Sequence, residues 1–309
     1  FFCDFQRLKP DIVVGWGHEI AMLAFISATL AQVPHIYFCI RNYNPRYGWT
    51  GNGKFFRFAH GIMWPFLTGL ICNSSLLRHD YSTWLKIAPE HVQVCPNGVE
   101  LEIPGPEERQ KHREEFRRHH GIPEQALVIA YIGRFAAEKG QLRLLHAFSR
   151  VCSERPNDSL FLVFIGEGPA QPEVKGCAET LGVFSRIRFL GKTQSPSDLL
   201  ASSDIYVMPS DFEGMPNAMM EAMAFGLPCI STKRSGAVDL AKNGTEAIFV
   251  ESTPEAIAEA ILALVTDSQK RVDLGGKGKK ALRHFSVEKM ILRFHAILNE
   301  NIPTKTTTE

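Results

Sequence analysis

The chain has 309 residues, too many for one ordinary hydrophobic core and enough for two α/β domains of roughly 150 residues each. Its composition is that of a globular protein, 45% hydrophobic and 22% charged, with a formal net charge of +1. That balance excludes a general attraction to nucleic acid, which needs a strongly basic domain, and leaves room only for a local basic patch.

The chain opens on Phe1 rather than Met, in what reads as the end of a helix, so it is expected to be a piece of a longer protein. A strand over 11–15 is followed by an apolar helix over 19–31, whose longest apolar run is too short to span a bilayer. The next strand covers 35–40. After a polar, aromatic loop over 41–52 come a helix to about 67, a strand over 70–73 and a helix over 75–85. A strand over 92–95 then ends at the turn Pro96-Asn97-Gly98. The stretch around Pro104, Gly105 and Pro106 lacks apolar periodicity and marks a domain boundary between 103 and 104. A charged helix over 107–120 leads into a β-rich run over 126–132, which must be a central strand. Further strands are expected at 160–165, 187–190, 205–208, 228–231 and 247–250, each separated by helix. Three helices close the chain, the last from Ser286, and 304–309 reads as a frayed tail. Strand–helix alternation of this kind implies parallel sheets with right-handed crossovers. The expected domains are therefore 1–103, 104–285 and a crossover helix with tail over 286–309.

Ligands of such sheets bind outside the carboxyl ends of the strands, which directs attention to a few loops. After the strand 126–132 comes Gly133-Arg134-Phe135-Ala136-Ala137-Glu138-Lys139-Gly140, opening the helix from Gln141. A cation pair beside a helix N-terminus suits a diphosphate: arginine offers a planar fork, lysine a point charge, and the helix end free N–H groups. Spacing alone leaves open the alternative that Arg134 and Lys139 are solvated loop charges. After the strand 205–208 comes Pro209-Ser-Asp-Phe-Glu213-Gly-Met-Pro-Asn217-Ala-Met-Met-Glu221, running on to Gly226-Leu-Pro228. Pro216 suits the first turn of a helix. Glu221 lies further along that helix among Met219, Met220, Ala222 and Met223, so its neighbours are apolar nearly all round and it is expected to be largely buried. A buried carboxylate needs a partner, and a ribose diol would serve; an exposed helix charge is the alternative. Seven cysteines without a CxxC pair make a zinc site improbable, and their odd number argues for a reducing compartment.

Glu213 and Glu221 form an E-x7-E pair. With Gly133-Arg134…Glu138-Lys139-Gly140, Gly166-Glu167-Gly168-Pro169 and Glu213-Gly214-Met215-Pro216-Asn217, the chain resembles the GT4-like retaining glycosyltransferases. The resemblance implies the GT-B fold: α/β, with two Rossmann-like parallel-sheet domains facing each other. The C-terminal one would hold a nucleotide-diphosphate sugar and the N-terminal one the acceptor. By motif, it implies that Arg134 and Lys139 bind the diphosphate, Glu221 the ribose, and Glu213 the transferred sugar. The backbone at Gly214, Met215, Pro216 and Asn217 would help hold sugar and phosphate, and Leu190 would border the base. His18, in Gly15-Trp-Gly-His18 after the strand 11–15, would orient the donor sugar rather than bind metal. Arg41-Asn42-Tyr43-Asn44 would line the acceptor side or be a polar surface loop.

The same resemblance implies transfer with retention and without a metal cofactor, and no DxD pair stands beside the diphosphate site. Front-face displacement, in which the leaving-group oxygen takes the acceptor's proton, suits the absence of a convincing nucleophile. Family members carry a strand and a glycine-rich loop ahead of the position of Asp11, so the N-terminal domain is expected to be incomplete, with an unsatisfied sheet edge. Acceptors of bacterial relatives imply a saccharide or lipid-linked acceptor of cell-envelope polysaccharide or glycolipid synthesis, and a cytoplasmic enzyme. Lys54-Phe55-Phe56-Arg57-Phe58…His60 reads either as a peripheral contact with the inner face of an anionic membrane or as core with snorkelling cations. A sugar-nucleotide epimerase of the same fold and a non-catalytic nucleotide-sugar-binding or scaffold protein are the competing readings. A dehydrogenase fails for want of GxGxxG after a strand.

Overall fold

The computed structural model describes residues 1–44, 53–100, 103–192 and 196–300, with the backbone alone for His18 and Glu19. The chain divides into two compact units, Phe1–Gly98 with Val287–Glu309, and Val99–Ser286.

In the first unit, α1 (Phe2–Leu8) precedes β1 (Ile12–Trp16), α2 (His18–Leu30), β2 (His35–Ile40), α3 (Gly53–Met63), β3 (Gly69–Cys72), α4 (Ser75–Leu85) and β4 (Val92–Val94). The strands pair in parallel in the order β1-β2-β3-β4. Because each crossover moves one place in the same direction, right-handedness puts α2, α3 and α4 on one face. Strand periodicity then divides β2: Ile36, Phe38 and Ile40 enter the core with these helices, while Tyr37 and Cys39 face α12 (Val287–Asn299). With helices on both faces the strand is buried and apolar from Ile36 to Ile40 instead of alternating. The helix expected to reach 67 ends at Met63 and continues as a 3-10 turn over Trp64–Phe66. Pro65, which lacks an N–H and crowds the preceding turn, accounts for the break.

The second unit comprises α5 (Pro106–His119), β5 (Leu127–Ile132), α6 (Gln141–Glu154), β6 (Leu160–Ile165), α7 (Gln171–Thr180), β7 (Ile187–Phe189), α8 (Pro196–Ser202), β8 (Ile205–Met208), α9 (Asn217–Ala224), β9 (Cys229–Thr232), β10 (Ile248–Val250), α10 (Pro254–Val265) and α11 (Ser268–Ala281). Its six parallel strands run β10-β9-β8-β5-β6-β7. The chain builds outward from β5 through β6 and β7, then crosses to the other side of β5 to add β8, β9 and β10. The order therefore reverses between β5 and β8. Alternate residues of β5 fill two cores: Val128 and Ala130 pack with Met219, Met220 and Met223 of α9, and Ile129 and Tyr131 with Leu144, Phe148 and Ile261 of α6 and α10.

One ion-pair network fixes α5 to the amino end of this sheet. Arg117, 2% exposed, donates from Nη2 to Asp204 Oδ2 at 3.0 Å and to the Ser202 carbonyl at 2.9 Å, and from Nη1 to the Ala126 carbonyl at 2.8 Å. Asp204 also accepts from Arg113 at 2.8 Å and from the Val128 amide at 2.8 Å. Asp204→Ala would strand the Arg117 charge, and loss of one partner of a buried pair costs about 3–5 kcal/mol. A fall of that size in the unfolding free energy is expected from urea denaturation followed by circular dichroism, with Arg117→Lys also destabilising because an ammonium cannot reach the same carbonyls.

Candidate functional site

A reversal of strand order leaves a crevice at the carboxyl ends of the two strands involved. Here these are β5 and β8, and the loops leaving them are 133–140 and 209–216. Both carry the residues singled out from the sequence.

The two loops are pressed together. Gly140 has φ +72°, and a β carbon there would lie 2.3 Å from the Pro209 carbonyl oxygen. Gly166, after β6, has φ +135°, and its β carbon would lie 2.0 Å from the Gly133 carbonyl oxygen. Hydrogen bonds complete the junction. The Asp211 amide donates to the Glu138 carbonyl at 2.8 Å, and Arg143 Nη2 reaches both the Pro209 carbonyl at 3.1 Å and Asp211 Oδ1 at 2.9 Å. Gln141 Nε2, buried in the first turn of α6, donates to the Arg134 carbonyl at 2.6 Å and to the Tyr131 hydroxyl at 2.8 Å.

On this frame Lys139 Nζ pairs with Glu213 Oε1, which also accepts from Ser210 Oγ at 3.0 Å. The cation of one loop and the carboxylate of the other are thereby brought together, across 74 residues of sequence. Glu213 is also held through its backbone, whose carbonyl accepts from the Gly236 amide at 3.0 Å. Arg134 is more open: its Nη2 lies 2.7 Å from Glu138 Oε1, and the side chain is 47% exposed. Gly214, Met215 and Pro216 are buried in the turn entering α9, with Pro216 as the residue before the helix and Asn217 as its first.

Glu221 sits one turn into α9, between buried Met220 and Ala222. It is partly buried, and its carboxylate has no hydrogen-bond or ion-pair partner among the described residues. Burial alone raises its carboxyl above the usual range. Leu190 follows β7, donating its amide to the Phe164 carbonyl at 2.9 Å, and the next residue's carbonyl accepts from the Gly166 amide at 2.8 Å. Leu190 thus borders the loop after β6, beside the loop after β5. His18 belongs to the other unit, as the first residue of α2, and its side chain lies outside the described residues. Among the described residues no group of three or more His, Cys, Asp or Glu side chains is arranged to hold a metal ion.

The supporting residues Tyr131, Gln141, Arg143 and Asp211 were not singled out in the sequence. Their work is to hold loop backbone through contacts distant in the chain, which no local spacing encodes; only the placement of Gln141 and Arg143 in the first turn after a strand end hints at it.

The chain is similar in sequence and in fold to known proteins. The model of the family described as glycosyl transferases group 1 matches residues 112–281. The D-inositol 3-phosphate glycosyltransferase of Corynebacterium glutamicum is 31% identical over 244 residues, covering 74% of this chain and 57% of that protein. The UDP-Gal:alpha-D-GlcNAc-diphosphoundecaprenol alpha-1,3-galactosyltransferase of Escherichia coli is 24% identical over 289 residues, 93% of this chain and 74% of its own length. The chain spans little more than half the length of the corynebacterial relative. Among solved structures, Anabaena Alr3699/HepE in complex with UDP and glucose superposes with a TM-score of 0.85 at 18% identity, over 97% of this chain and 81% of that one. The two parallel-sheet units thus have the GT-B fold. Since the family match runs through both loops at the strand-order reversal and over more than half of the residues, the chain belongs to the glycosyl transferases group 1 family.

Proposed function

We propose that the chain is the greater part of a retaining glycosyltransferase that moves a sugar from a nucleotide-diphosphate donor to an acceptor hydroxyl, without a metal cofactor. The observation that carries this reading is Glu221, a partly buried carboxylate without a partner, one turn beyond the Lys139–Glu213 pair at the strand-order reversal. A ribose diol supplies the two donors that Glu221 lacks. Lys139 and Arg134 then take the diphosphate, and sugar hydroxyls share Glu213 with Lys139. The acceptor hydroxyl attacks the anomeric carbon on the face from which the diphosphate departs. Its proton passes to the leaving phosphate oxygen, while the two cations offset the charge developing there. The buried turn at Gly214–Asn217 presents backbone to the sugar, Leu190 borders the base, and His18 orients the sugar. The UDP in the Anabaena structure and the UDP-Gal of the E. coli relative's name make a uridine nucleotide the first candidate donor. That relative's diphosphoundecaprenol acceptor supports a saccharide or lipid-linked acceptor in cell-envelope polysaccharide or glycolipid synthesis.

A peripheral membrane contact at the cytoplasmic face is part of the proposal. On α3, Phe56, His60 and Met63 turn inward, while Phe55, Phe58 and Ile62 are 59%, 68% and 54% exposed, beside exposed Lys54 and Arg57. Between Glu19 and Asp80 the sequence has no acidic residue at all. An apolar face flanked by two cations and free of carboxylates suits an anionic bilayer surface. Among the described residues no helix is long and apolar enough to cross a membrane.

Calorimetric titration of the whole chain with UDP, GDP and ADP is expected to show tight binding of one nucleotide, unchanged by EDTA. Glu221→Gln and Arg134→Ala should each weaken it roughly tenfold or more, as for loss of a charge-assisted hydrogen bond; failure of all three nucleotides to bind the folded protein would overturn the donor site.

The same glutamate predicts an opposite effect on stability. Its carboxyl holds its proton more tightly in the folded protein than in the unfolded chain, so its ionisation opposes folding. That cost is absent below the ordinary carboxylate range, grows as pH rises from the ordinary value towards the raised one, and is complete above it. Unliganded Glu221→Gln is therefore expected to melt above the parent at neutral pH, with the difference disappearing in acid; differential scanning calorimetry across pH checks both.

For the membrane contact, sedimentation with phosphatidylglycerol vesicles should carry the protein down at low salt. Neutral phosphatidylcholine vesicles, or Lys54→Glu/Arg57→Glu, should leave most of it in solution.

A further inference from the structure

The first unit contains a cavity that the donor site does not use. It measures about 310 Å³ and opens at the carboxyl ends of β2 and β3, under α12. Its walls are largely apolar: Ile40 and Ile71 from the sheet, and Met290, Ile291, Phe294 and Leu298 from the helix. The helix is firmly seated over it. Arg293 donates to the Val94 carbonyl at 3.3 Å and to Gln93 Oε1 at 3.1 Å, and Phe294 stacks on Trp16 with ring centroids 5.9 Å apart.

One full positive charge stands in this lining. The Arg41 guanidinium lies 4.5 Å from the centroid of the Trp16 ring and donates from Nη1 to Asn97 Oδ1 at 2.7 Å. Asn97 is itself buried and accepts from Asn73 Nδ2 at 3.4 Å, so the fork is aimed by a fixed polar base. Arg41 has no carboxylate partner among the described residues, and no carboxylate lines the cavity. The remaining titratable lining does not balance the charge. Burial pushes the Cys39 thiol up to about 12 and raises that of Cys95, so both stay neutral at physiological pH, although Arg41 draws each of them down.

An apolar chamber of this size falls at the small end of ligand pockets. A guanidinium with donors unused among the described residues, held over an aromatic ring, matches a phosphate or carboxylate. We propose that this cavity is a second binding site, specific for a compact amphiphilic anion: an apolar ring or short branched chain inserted under α12, with its phosphate or carboxylate on Arg41. The proposal does not depend on what the second unit binds.

The test uses the whole chain and 1-naphthyl phosphate, with 1-naphthol and inorganic phosphate as the two halves of the probe, each titrated by calorimetry. Naphthyl phosphate is expected to bind at one site per chain, at least tenfold more tightly than naphthol, with inorganic phosphate undetectable at the same concentrations. Arg41→Gln should reduce naphthyl phosphate to the affinity of naphthol. Ile291→Glu, on the exposed rim of α12, should abolish binding by placing a carboxylate at the opening. The melting temperature of each unliganded variant establishes that it is folded, and Ile291→Glu carries the test should Arg41→Gln fail to fold. Equal affinities for naphthyl phosphate and naphthol, no binding of naphthyl phosphate, or full binding by folded Arg41→Gln would each overturn the proposal. So would displacement by UDP or loss in Arg134→Ala, since these would place the probe in the donor site, or loss in Arg57→Gln, which would place it on α3.

Discussion

The contact between two loop backbones, at Gly140 against Pro209, is the constraint on which the candidate site depends. Lys139 belongs to the loop after β5 and Glu213 to the loop after β8, and only the close approach of those loops lets the ammonium reach the carboxylate. A side chain at Gly140 would collide with a carbonyl oxygen, and its positive φ would be strained as well. Main chain cannot yield as a flexible side chain can, so the separation of the two loops is set by packing. Arg143, bridging Pro209 and Asp211 from α6, extends the same junction into the helix behind it. The reversal of strand order creates the crevice; the glycines decide how narrow it is.

Three charges of the second unit, Arg117, Asp204 and Glu221, show how differently stability and binding treat the same physics. Arg117 and Asp204 are surrounded by donors and acceptors that match them nearly atom for atom, and they tie α5 to the sheet. Glu221 is also partly withdrawn from water, yet no side chain or amide among the described residues answers its carboxylate. A helix with methionine and alanine on most of its faces is what seats it there, because those neighbours bury the helix without offering a hydrogen bond. The fold thus carries a carboxylate without a partner among the described residues beside the carboxyl ends of β5 and β8, where the proposed ligand would bring its paired hydroxyls. Natural sequences tend to break local rules at functional sites and compensate elsewhere, and the satisfied network at the opposite end of β5 is a source of such compensation.

The parallel two-unit architecture was legible from strand–helix alternation because fully buried strands such as 35–40 and 160–165 stand out as short apolar runs between helical segments. Observed strand ends depart from the expected ones by only a residue or two, within the usual fraying of such limits. Arg134, Lys139 and Glu213 could be singled out because they follow strand ends, and Glu221 because its helical neighbours are apolar. Spacing could not show that Lys139 and Glu213 touch, since that follows from the strand order, and order is not written locally. Arg117 was hidden for a related reason: in a helix rich in Arg, Glu and His it looks like one more solvated charge. Its burial depends on Asp204, far along the chain. The 3-10 turn at Trp64–Phe66 was signalled by Pro65 and passed over because the apolar pattern continues through it.

The two units differ most in what they show to solvent. Among the described residues, all the large exposed apolar side chains except Phe184 and Val272 belong to the first unit, among them Ile20, Leu23, Phe55, Phe58 and Phe66. The second unit presents the surface of an ordinary solvated domain around a polar, charge-lined crevice, as fits recognition of a small, highly charged ligand. The first presents apolar helix faces in a stretch without carboxylates, and an apolar cavity whose one full charge is positive. Scattered exposed apolar residues need no explanation, but a concentration of them on one unit does. Each of these features favours the same chemistry, an apolar body with a negative group. The two proposals for the first unit thus call for amphiphilic anions at two scales, a surface for α3 and a single molecule beneath α12, while the proposed nucleotide site belongs to the second.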